Sequence, residues 1–439
     1  MSDYMFMLDS HLSPEQSRVL NLVRDAGAQA NLNIFLTGGA MRDMLGGFAI
    51  KDLDFTVEGN ALKLAKTLAE QSGAKILAID EARKCVDLVF PGEVTVEIST
   101  ARQEKYAKPG GKPHIVPSTI HEDLRGRDFT INAIGLSLSK ASHGLLVDPT
   151  NGLADLERKE LQAVTNYTLY DDPSRILRLL RLKVRLSFQV SERTMQQYQN
   201  VREAQLETKI PVAALERELR QIAQEPMALE ILQTLEQEKL LPLFSPVLTG
   251  AKLNVAGFQK LQKAKQVMPF DANIHVDHYA IFLNELFEKL TPKERAQLIK
   301  TSGIAKRDVD AAAKLEADAK KLEKQLTSAK LQKASALYAL LSKIPGEQIL
   351  FVLMRSNQRL VVDRLKNYLQ KYLPAAQEIT DSVVAEHGVK QGTPKFAKLR
   401  DELIASRLDS RPKKVAPVEP PPPPPPQPAP GRRQSTWGR

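Results

Sequence analysis

The sequence predicts an α/β head built as a mixed sheet with helices, followed by an all-α region and a disordered proline-rich C-terminus. Three observations carry this. Residues 1 to about 150 alternate short β-type apolar runs with helical segments. After Asp155 the β-branched runs vanish, and long Leu/Ala/Glu/Lys/Gln stretches with a 3.6-residue period replace them. From Arg411 onward the composition turns to Pro, Gln, Arg and Gly, with an unbroken proline run from Pro420 to Pro426. Such a segment cannot bury a core and has polyproline II character.

At 439 residues the chain exceeds one ordinary domain. We expect a head at 1–150, a helical neck at 151–225, a helical body and tail at 226–410, and the disordered tail at 411–439. Within the head, strands are expected at 33–37, 53–57, 75–79, 86–90, 94–99 and 145–147, with a helix at 61–71. Helices at 312–329 and 334–341 illustrate the later region, which Pro211, Pro269, the Pro345-Gly346 pair and residues 392–394 punctuate.

Composition narrows the function. Hydrophobic residues make up 42%, too many for general disorder. No run of 18 apolar residues exists and the N-terminus lacks a charged-then-apolar signal, so a soluble, cytoplasmic protein without a membrane partner is expected. Cys85 is the only cysteine, which excludes an intramolecular disulfide framework and a cysteine-based zinc site. Lying in an apolar run, it reads as a core residue. The net charge of +10 suits a polyanionic partner. Residues 411–439 hold six Lys/Arg and one Glu, about half of that excess, so an RNA site in the folded part has to be a local patch. The tail reads as a solvated segment, with a polyproline-ligand role as the alternative. Oligomeric state is not legible.

The most informative segment runs from Phe35 through Gly38 and Gly39 to Arg42 and Asp43, followed by Lys51 to Thr56. An apolar strand empties into paired glycines that open a helix, where backbone N–H groups and the helix dipole suit a polyphosphate. Asp52 and Asp54 stand at i and i+2, so both point to one strand face while Leu53 and Phe55 face the core. Paired carboxylates are costly unless a cation lies between them, and hard oxygen ligands suit Mg²⁺. A phosphate cradle beside metal carboxylates means nucleotide chemistry.

Gly-Gly-x-x-Arg-Asp followed by Asp-x-Asp resembles the signature of the nucleotidyltransferase superfamily, and most closely its tRNA nucleotidyltransferase and bacterial poly(A) polymerase branch. The resemblance continues through residues 30 to 225. It implies a nucleotidyltransferase head, Mg²⁺ as cofactor, and Asp52, Asp54 and a third carboxylate as metal ligands. Glu97, in a Glu-x-x-x-x-Arg element completed by Arg102, matches that third position, with Asp87 on the preceding strand as the rival. Gly38, Gly39 and Arg42 are expected at the triphosphate; Asp43 is read as structural. Residues 102–113, rich in glycine, proline and lysine, read as a mobile loop.

Glu122 to Ala133 resembles the family's Arg-Arg-Asp-Phe-Thr-x-Asn-Ala element through Arg127, Asp128 and Asn132, with Gly126 replacing its first arginine. Arg127 is expected on phosphate and Asp128 on a ribose hydroxyl. Residues 148–156 match a connecting segment and read as structural. Asp172 and Arg175 match the base-reading Glu-Asp-x-x-Arg pattern, with Asp171 in place of Glu. A carboxylate accepts from an exocyclic amino group and a guanidinium donates to the adjacent ring nitrogen, a pattern that cytosine and adenine share. Arg175, Arg178, Arg181 and Arg185 lie along one helix face, which points to an anionic partner; a solvated basic face is the bland alternative, and Arg178 and Arg181 are expected at the nucleotide alongside Asp172 and Arg175. Residues 217–222 resemble the last helical motif, degenerate at Ala213 and Ala214.

The resemblance therefore implies addition of CCA from CTP and ATP to the tRNA 3′ end. Poly(A) polymerase is the runner-up, disfavoured because 85–93 lacks the basic cluster of those enzymes. CC-only or A-only addition shares these motifs. A catalytically dead scaffold would have lost a metal or base-reading residue, and all four are present. His275 and His278 lack the further ligands of a phosphohydrolase, and no P-loop pattern occurs.

Overall fold

A computed structural model describes residues 3–269 and 274–410. The expectation of a disordered tail at 411–439 falls outside them. Two helices, α1 (Asp3–His11) and α2 (Pro14–Gln29), precede the first strand. A capping box of Ser13 and Gln16, with Pro14 at the first helical position, starts α2. Strands β1 (Asn33–Thr37), β2 (Leu53–Glu58), β3 (Lys75–Asp80), β4 (Cys85–Phe90) and β5 (Val94–Thr100) follow, with α3 (Gly38–Leu45) and α4 (Ala61–Ser72) between them. These five expected strands and the expected helix are present within a residue at each end, and the sixth, expected at 145–147, is Leu146–Val147.

Four further strands are β6 (Arg102–Lys105), β7 (His114–Pro117), β8 (Gly135–Ser137) and β9 (Leu146–Val147), with α5 (Ile120–Arg125) between β7 and β8. The seven-stranded sheet runs β3-β4-β5-β2-β1-β8-β9, parallel only between β2 and β5. It is a mixed sheet. Apolar residues alternate inward: Leu53, Phe55 and Val57 of β2, Val86, Leu88 and Phe90 of β4, and Val94, Val96 and Ile98 of β5 are buried with Leu64 and Leu68 of α4 and Val19 and Val23 of α2. The opposite face of β2, β4 and β5 is left free for polar side chains.

Two expectations need correction here. Arg102–Lys105 pairs antiparallel with His114–Pro117, so the reading of 102–113 as a loop from end to end fails. Strands of Arg, Gln, Glu and Lys carry no apolar alternation to reveal them. Cys85 is not a core residue. It shares the outward face of β4 with Asp87, half-buried, while Val86 and Leu88 take the core side; burial pushes its thiol up to about 12, and nearby Glu97 adds to this.

From α6 (Gly152–Arg158) onward the regular structure among the described residues is helical apart from two two-residue strands, Glu160–Leu161 and Gln189–Val190, that pair in parallel. The helices that matter below are α7 (Thr168–Asp171), α8 (Arg175–Leu186), α9 (Glu192–Glu203), α10 (Val212–Gln224), α11 (Ala228–Gln237), α12 (Val255–Lys265) and α13 (His278–Phe287). The helix expected at 312–329 is Lys306–Leu326, and that at 334–341 is Ala334–Leu341. One apolar cluster continues from the head through Leu177, Leu180, Leu219 and Ile222 into Phe258, Phe282 and Leu286. Among the described residues no single helix is long and apolar enough to cross a membrane.

The α12 helix is tied to the end of α10 by Lys265, whose ammonium donates to the carbonyls of Ala223 (2.8 Å) and Glu225 (3.1 Å). Burial, with Lys51 close by, pushes Lys265 down to about 7 against the attraction of Glu225. A lysine with a depressed pKa sheds its proton earlier in the folded chain than in the unfolded one, so its burden on stability is lifted as pH rises from about 7 towards 10. Thermal melts of Lys265→Met against the parent should show the variant's relative stability falling across that range. A parallel pair of pH curves would contradict this.

Candidate active site

The site lies where β1 ends and β2 begins. Thr37 is extended, Gly38 takes φ +67, and α3 starts at once. Only glycine adopts this left-handed backbone without strain, and a Cβ on Gly38 would sit 3.1 Å from both an Asp54 carboxylate oxygen and the Arg127 guanidinium. The Gly39 N–H donates to Asp54 Oδ2 at 3.1 Å. Paired glycines and Asp54 thus form one contact. Gly38→Ala should leave the fold in place yet cost any reaction run here about 10- to 100-fold, because it displaces Asp54 and Arg127 together. Turnover beside a circular-dichroism melt checks this.

The carboxylates line up across three strands. In the sheet register Asp54 of β2 stands opposite Glu97 of β5, and Glu97 stands opposite Asp87 of β4. All three occupy the face away from the core, as alternation with Leu53, Phe55, Val96, Ile98, Val86 and Leu88 requires. Asp52 directly precedes β2 and accepts a hydrogen bond from the Thr95 hydroxyl. Burial raises Asp54 to about 8, with the charges of Glu97 and Asp52 next in importance; Arg127 and the Gly39 N–H oppose them. Burial likewise raises Asp87 to about 6, again helped by Glu97 and Asp52. Crowded carboxylates of this kind, Asp54 half-buried and Asp52, Asp87 and Glu97 exposed around it, are what a divalent cation neutralises.

Among the described residues no three carboxylate, imidazole or thiol groups are gathered closely enough to hold a metal ion. The donor set therefore fits Mg²⁺ in its usual manner, on one or two carboxylates with the rest of its shell from water and phosphate. Asp52 and Asp54 fit that role. The geometry does not gather Glu97 or Asp87 with them as a third ligand; Glu97 acts on both Asp54 and Asp87 through its charge.

The arginines sort into two groups. Arg127 donates to Asp123 (3.0 Å), to the hydroxyls of Thr37 (3.1 Å) and Thr56 (2.9 Å), and to the Asn132 carbonyl, which sets it over Gly38 beside Asp54. Arg175 donates to the carbonyls of Gly126 (3.2 Å) and Arg127 (3.4 Å), with its Nε 3.8 Å from Asp172 Oδ2. Asp172 Oδ1 accepts from the Ser174 N–H (3.0 Å) and hydroxyl (2.6 Å), which leaves Oδ2 open. Asp171, Arg175, Arg127, Gly126 and Glu104 help line a cleft of about 270 Å³.

The second group is committed inside the protein. Arg42 is buried and donates to Asp43 (2.9 Å) and to the Asn132 amide oxygen (2.8 Å). Asn132 in turn donates to Asp128 (3.0 Å). Asp128, also buried, accepts from Arg178 at 2.6 Å; burial works to raise it, but Arg178 and Arg175 hold it well below the usual carboxylate range. Arg178 reaches Glu218 as well, and Arg181 is buried between Glu218 (3.0 Å) and Glu225 (3.0 Å). The expected anionic partner of this basic helix face is therefore protein carboxylate. Arg42 and Arg181 are not open donors for a triphosphate or base, Arg178 is 37% exposed at its side chain and keeps donor capacity beyond Asp128 and Glu218, and Asp128 has a single acceptor position left for a ribose hydroxyl. Asp43 is structural, as expected.

Two groups near the site escaped the sequence reading. Lys51, held off its ordinary ammonium pKa by burial, flanks Asp52, and its place beside the aspartate was a visible signal. Arg217 of α10 projects its charge onto Asp87, Asp80 and Asp172, across a sequence gap that no local pattern bridges.

Residues 34–162 match the model of the Poly A polymerase head domain. The head is thus similar to that of poly(A) polymerases, and the relatives it matches are named tRNA nucleotidyltransferases. It is 34% identical over 241 residues to an A-adding tRNA nucleotidyltransferase of Aquifex aeolicus (55% of this chain, 29% of that protein). It is 23% identical over 420 residues to one of Geobacter sulfurreducens (93% and 47%). A CC-adding tRNA nucleotidyltransferase of Deinococcus radiodurans is 38% identical over 178 residues (40% and 47%). The chain spans under half the length of these curated relatives. Its fold is similar to the apo form II of a CCA-adding enzyme, with TM-score 0.54, 24% identity and coverage of 94% of this chain and 96% of that one. The complex of a CCA-adding enzyme with ATP gives TM-score 0.52 at 23% identity, covering 94% of each chain.

Proposed function

We propose that this chain adds nucleotides to the 3′ end of tRNA without a nucleic-acid template, taking CTP and then ATP to build CCA. The supporting observation is the join of Gly38–Gly39 to Asp54, with Arg127 over it and the Asp172–Arg175 pair at the entry to α8. In the reaction the RNA 3′-oxygen bonds to the α-phosphorus of the nucleotide, and the bond from that phosphorus to pyrophosphate breaks. Mg²⁺ on Asp52 and Asp54 would supply charge neutralisation along the triphosphate and lower the pKa of the attacking hydroxyl.

The chain's own residues do the placing. The Gly39 N–H orients Asp54. Arg127, already fixed by Asp123 and two threonines, presents positive charge beside the glycine turn where phosphate would lie. Asp172 Oδ2 accepts from the amino group of cytosine or adenine, and Arg175 leaves its two long carbonyl contacts to donate to the neighbouring ring nitrogen. Guanine and uracil would set acceptor against carboxylate and donor against guanidinium. The head (1–150) then carries the chemistry, the neck (151–225) the choice of base, and the helical body (226–410) the grip on tRNA through phosphates.

A second reading, addition of the terminal A alone, is favoured by the names of the Aquifex and Geobacter relatives. Transcripts ending at the discriminator base, or carrying CC already, separate the two. Three-residue growth on the first with CTP plus ATP supports CCA addition. One-residue growth confined to the second, from ATP, replaces it with A-addition. A long ATP ladder on either would overturn both in favour of poly(A) synthesis.

A further inference from the structure

The arginine row of α8 does not end in separate ion pairs. Starting at the head, Arg42 pairs with Asp43 (2.8 Å) and Asp43 with Arg185 (2.8 Å). Arg185 approaches Glu225 (3.5 Å), and Glu225 pairs with Arg181 (3.0 Å). Arg181 pairs with Glu218 (3.0 Å), and Glu218 with Arg178 (3.3 Å). Arg178 pairs with Asp128 (2.6 Å), Asp128 accepts from Asn132 (3.0 Å), and Asn132 accepts from Arg42 (2.8 Å). The circuit closes.

Its nine members are four arginines, four carboxylates and one amide, so its formal charge is zero. Except for Arg178, which is 37% exposed at its side chain, the charged members are at most 16% exposed. The head supplies Arg42 and Asp43 from α3 and Asp128 and Asn132 from the turn after α5. The neck supplies three arginines from α8, Glu218 from α10 and Glu225 just beyond it. Three contacts cross between head and neck: Asp43 to Arg185, Asp128 to Arg178, and, through Gly126 and Arg127, Arg175 itself. Buried pairs add little net stability against apolar packing, but they fix one geometry, because any displacement strands a buried charge.

We infer that this closed ring is a positioning device that locks α8, and with it Asp172 and Arg175, at a fixed offset from Asp52 and Asp54, so that base choice depends on Asp43, Arg185, Glu218 and Glu225. None of these four touches the nucleotide in this account. They act through α8. The inference rests on the functional reading above, and the base-reading pair works as a template only if its distance from the reacting phosphate is held. A sub-ångström drift lets a wrong base pair adequately, whereas the right base loses less.

The test is incorporation of each of the four nucleotides by the full-length protein, with melts alongside. Glu218→Gln leaves one acceptor oxygen where the carboxylate receives three contacts from Arg178 and Arg181, and turns an amide N–H₂ towards a guanidinium. Arg185→Lys is gentler: it keeps the charge but cannot bridge Asp43 and Glu225 at once. Each should raise misincorporation of UTP or GTP relative to CTP or ATP by about tenfold. KM should move more than kcat for the correct nucleotide, and Glu218→Asp should restore part of the selectivity. A lowered melting temperature with the four-nucleotide ratio unchanged, in either variant, would overturn the inference and leave the ring structural. If the parent itself incorporates nothing, it is the functional reading that fails.

Discussion

Asp54→Asn is expected to abolish nucleotide incorporation, by at least about 10³-fold, while stabilising the protein in divalent-free buffer at alkaline pH. The two effects have one origin. Asp54 is half-buried beside Glu97 and Asp52, and desolvation followed by those charges raises its pKa to about 8. A carboxylate whose folded pKa exceeds its unfolded value weighs on stability once it must ionise: there is no burden below about pH 4, the burden grows up to about pH 8, and it is full above that. Asparagine carries no charge and escapes it. Melting temperatures of parent and variant should therefore converge near pH 4 and separate at pH 8 to 9, with the variant higher. Adding Mg²⁺ at pH 8 should raise the parent and leave the variant nearly unmoved. Equal melting curves at pH 8 would mean that Asp54 is not desolvated as its surroundings indicate.

The second large effect is expected at Arg175. Its guanidinium rests on the Gly126 and Arg127 carbonyls at 3.2 and 3.4 Å, contacts long enough to be exchanged for a base. Arg175→Ala removes the donor to the ring nitrogen of cytosine and adenine. The value of kcat/KM for CTP and ATP should fall by about 10² to 10³, and that for UTP and GTP much less, so discrimination collapses. Steady-state kinetics with each nucleotide decides this. A uniform loss across all four would assign Arg175 to phosphate rather than base.

Much of the site was legible because it depends on short-range rules. The alternation of Leu53 and Phe55 with Asp52 and Asp54 needs only the two-residue period of a strand. The glycines need only a strand emptying into a helix. What escaped was everything set by register or long sequence separation. That Glu97 lies between Asp54 and Asp87 follows from strand order β4-β5-β2, which no local pattern states. The α8 arginines were correctly seen as one basic face in want of anions. Their partners Glu218 and Glu225 lie 37 and 44 residues beyond Arg181, so the row was assigned to the nucleotide when most of it belongs to the protein. The β6–β7 hairpin is not legible because β6 is wholly polar, β7 offers only Ile115 and Val116, and the turn between them is rich in glycine and proline.

One measurement bears most directly on the central claim, that a protein-built pair beside Asp54 chooses the base. Pyrophosphate release would be followed with a tRNA transcript ending at the discriminator base, Mg²⁺, and each nucleotide supplied singly and in pairs. Release is expected with CTP alone, further release when ATP joins it, almost none with UTP or GTP, and none at all from Asp54→Asn. Comparable release from all four nucleotides, or release that persists in Asp54→Asn, would contradict it.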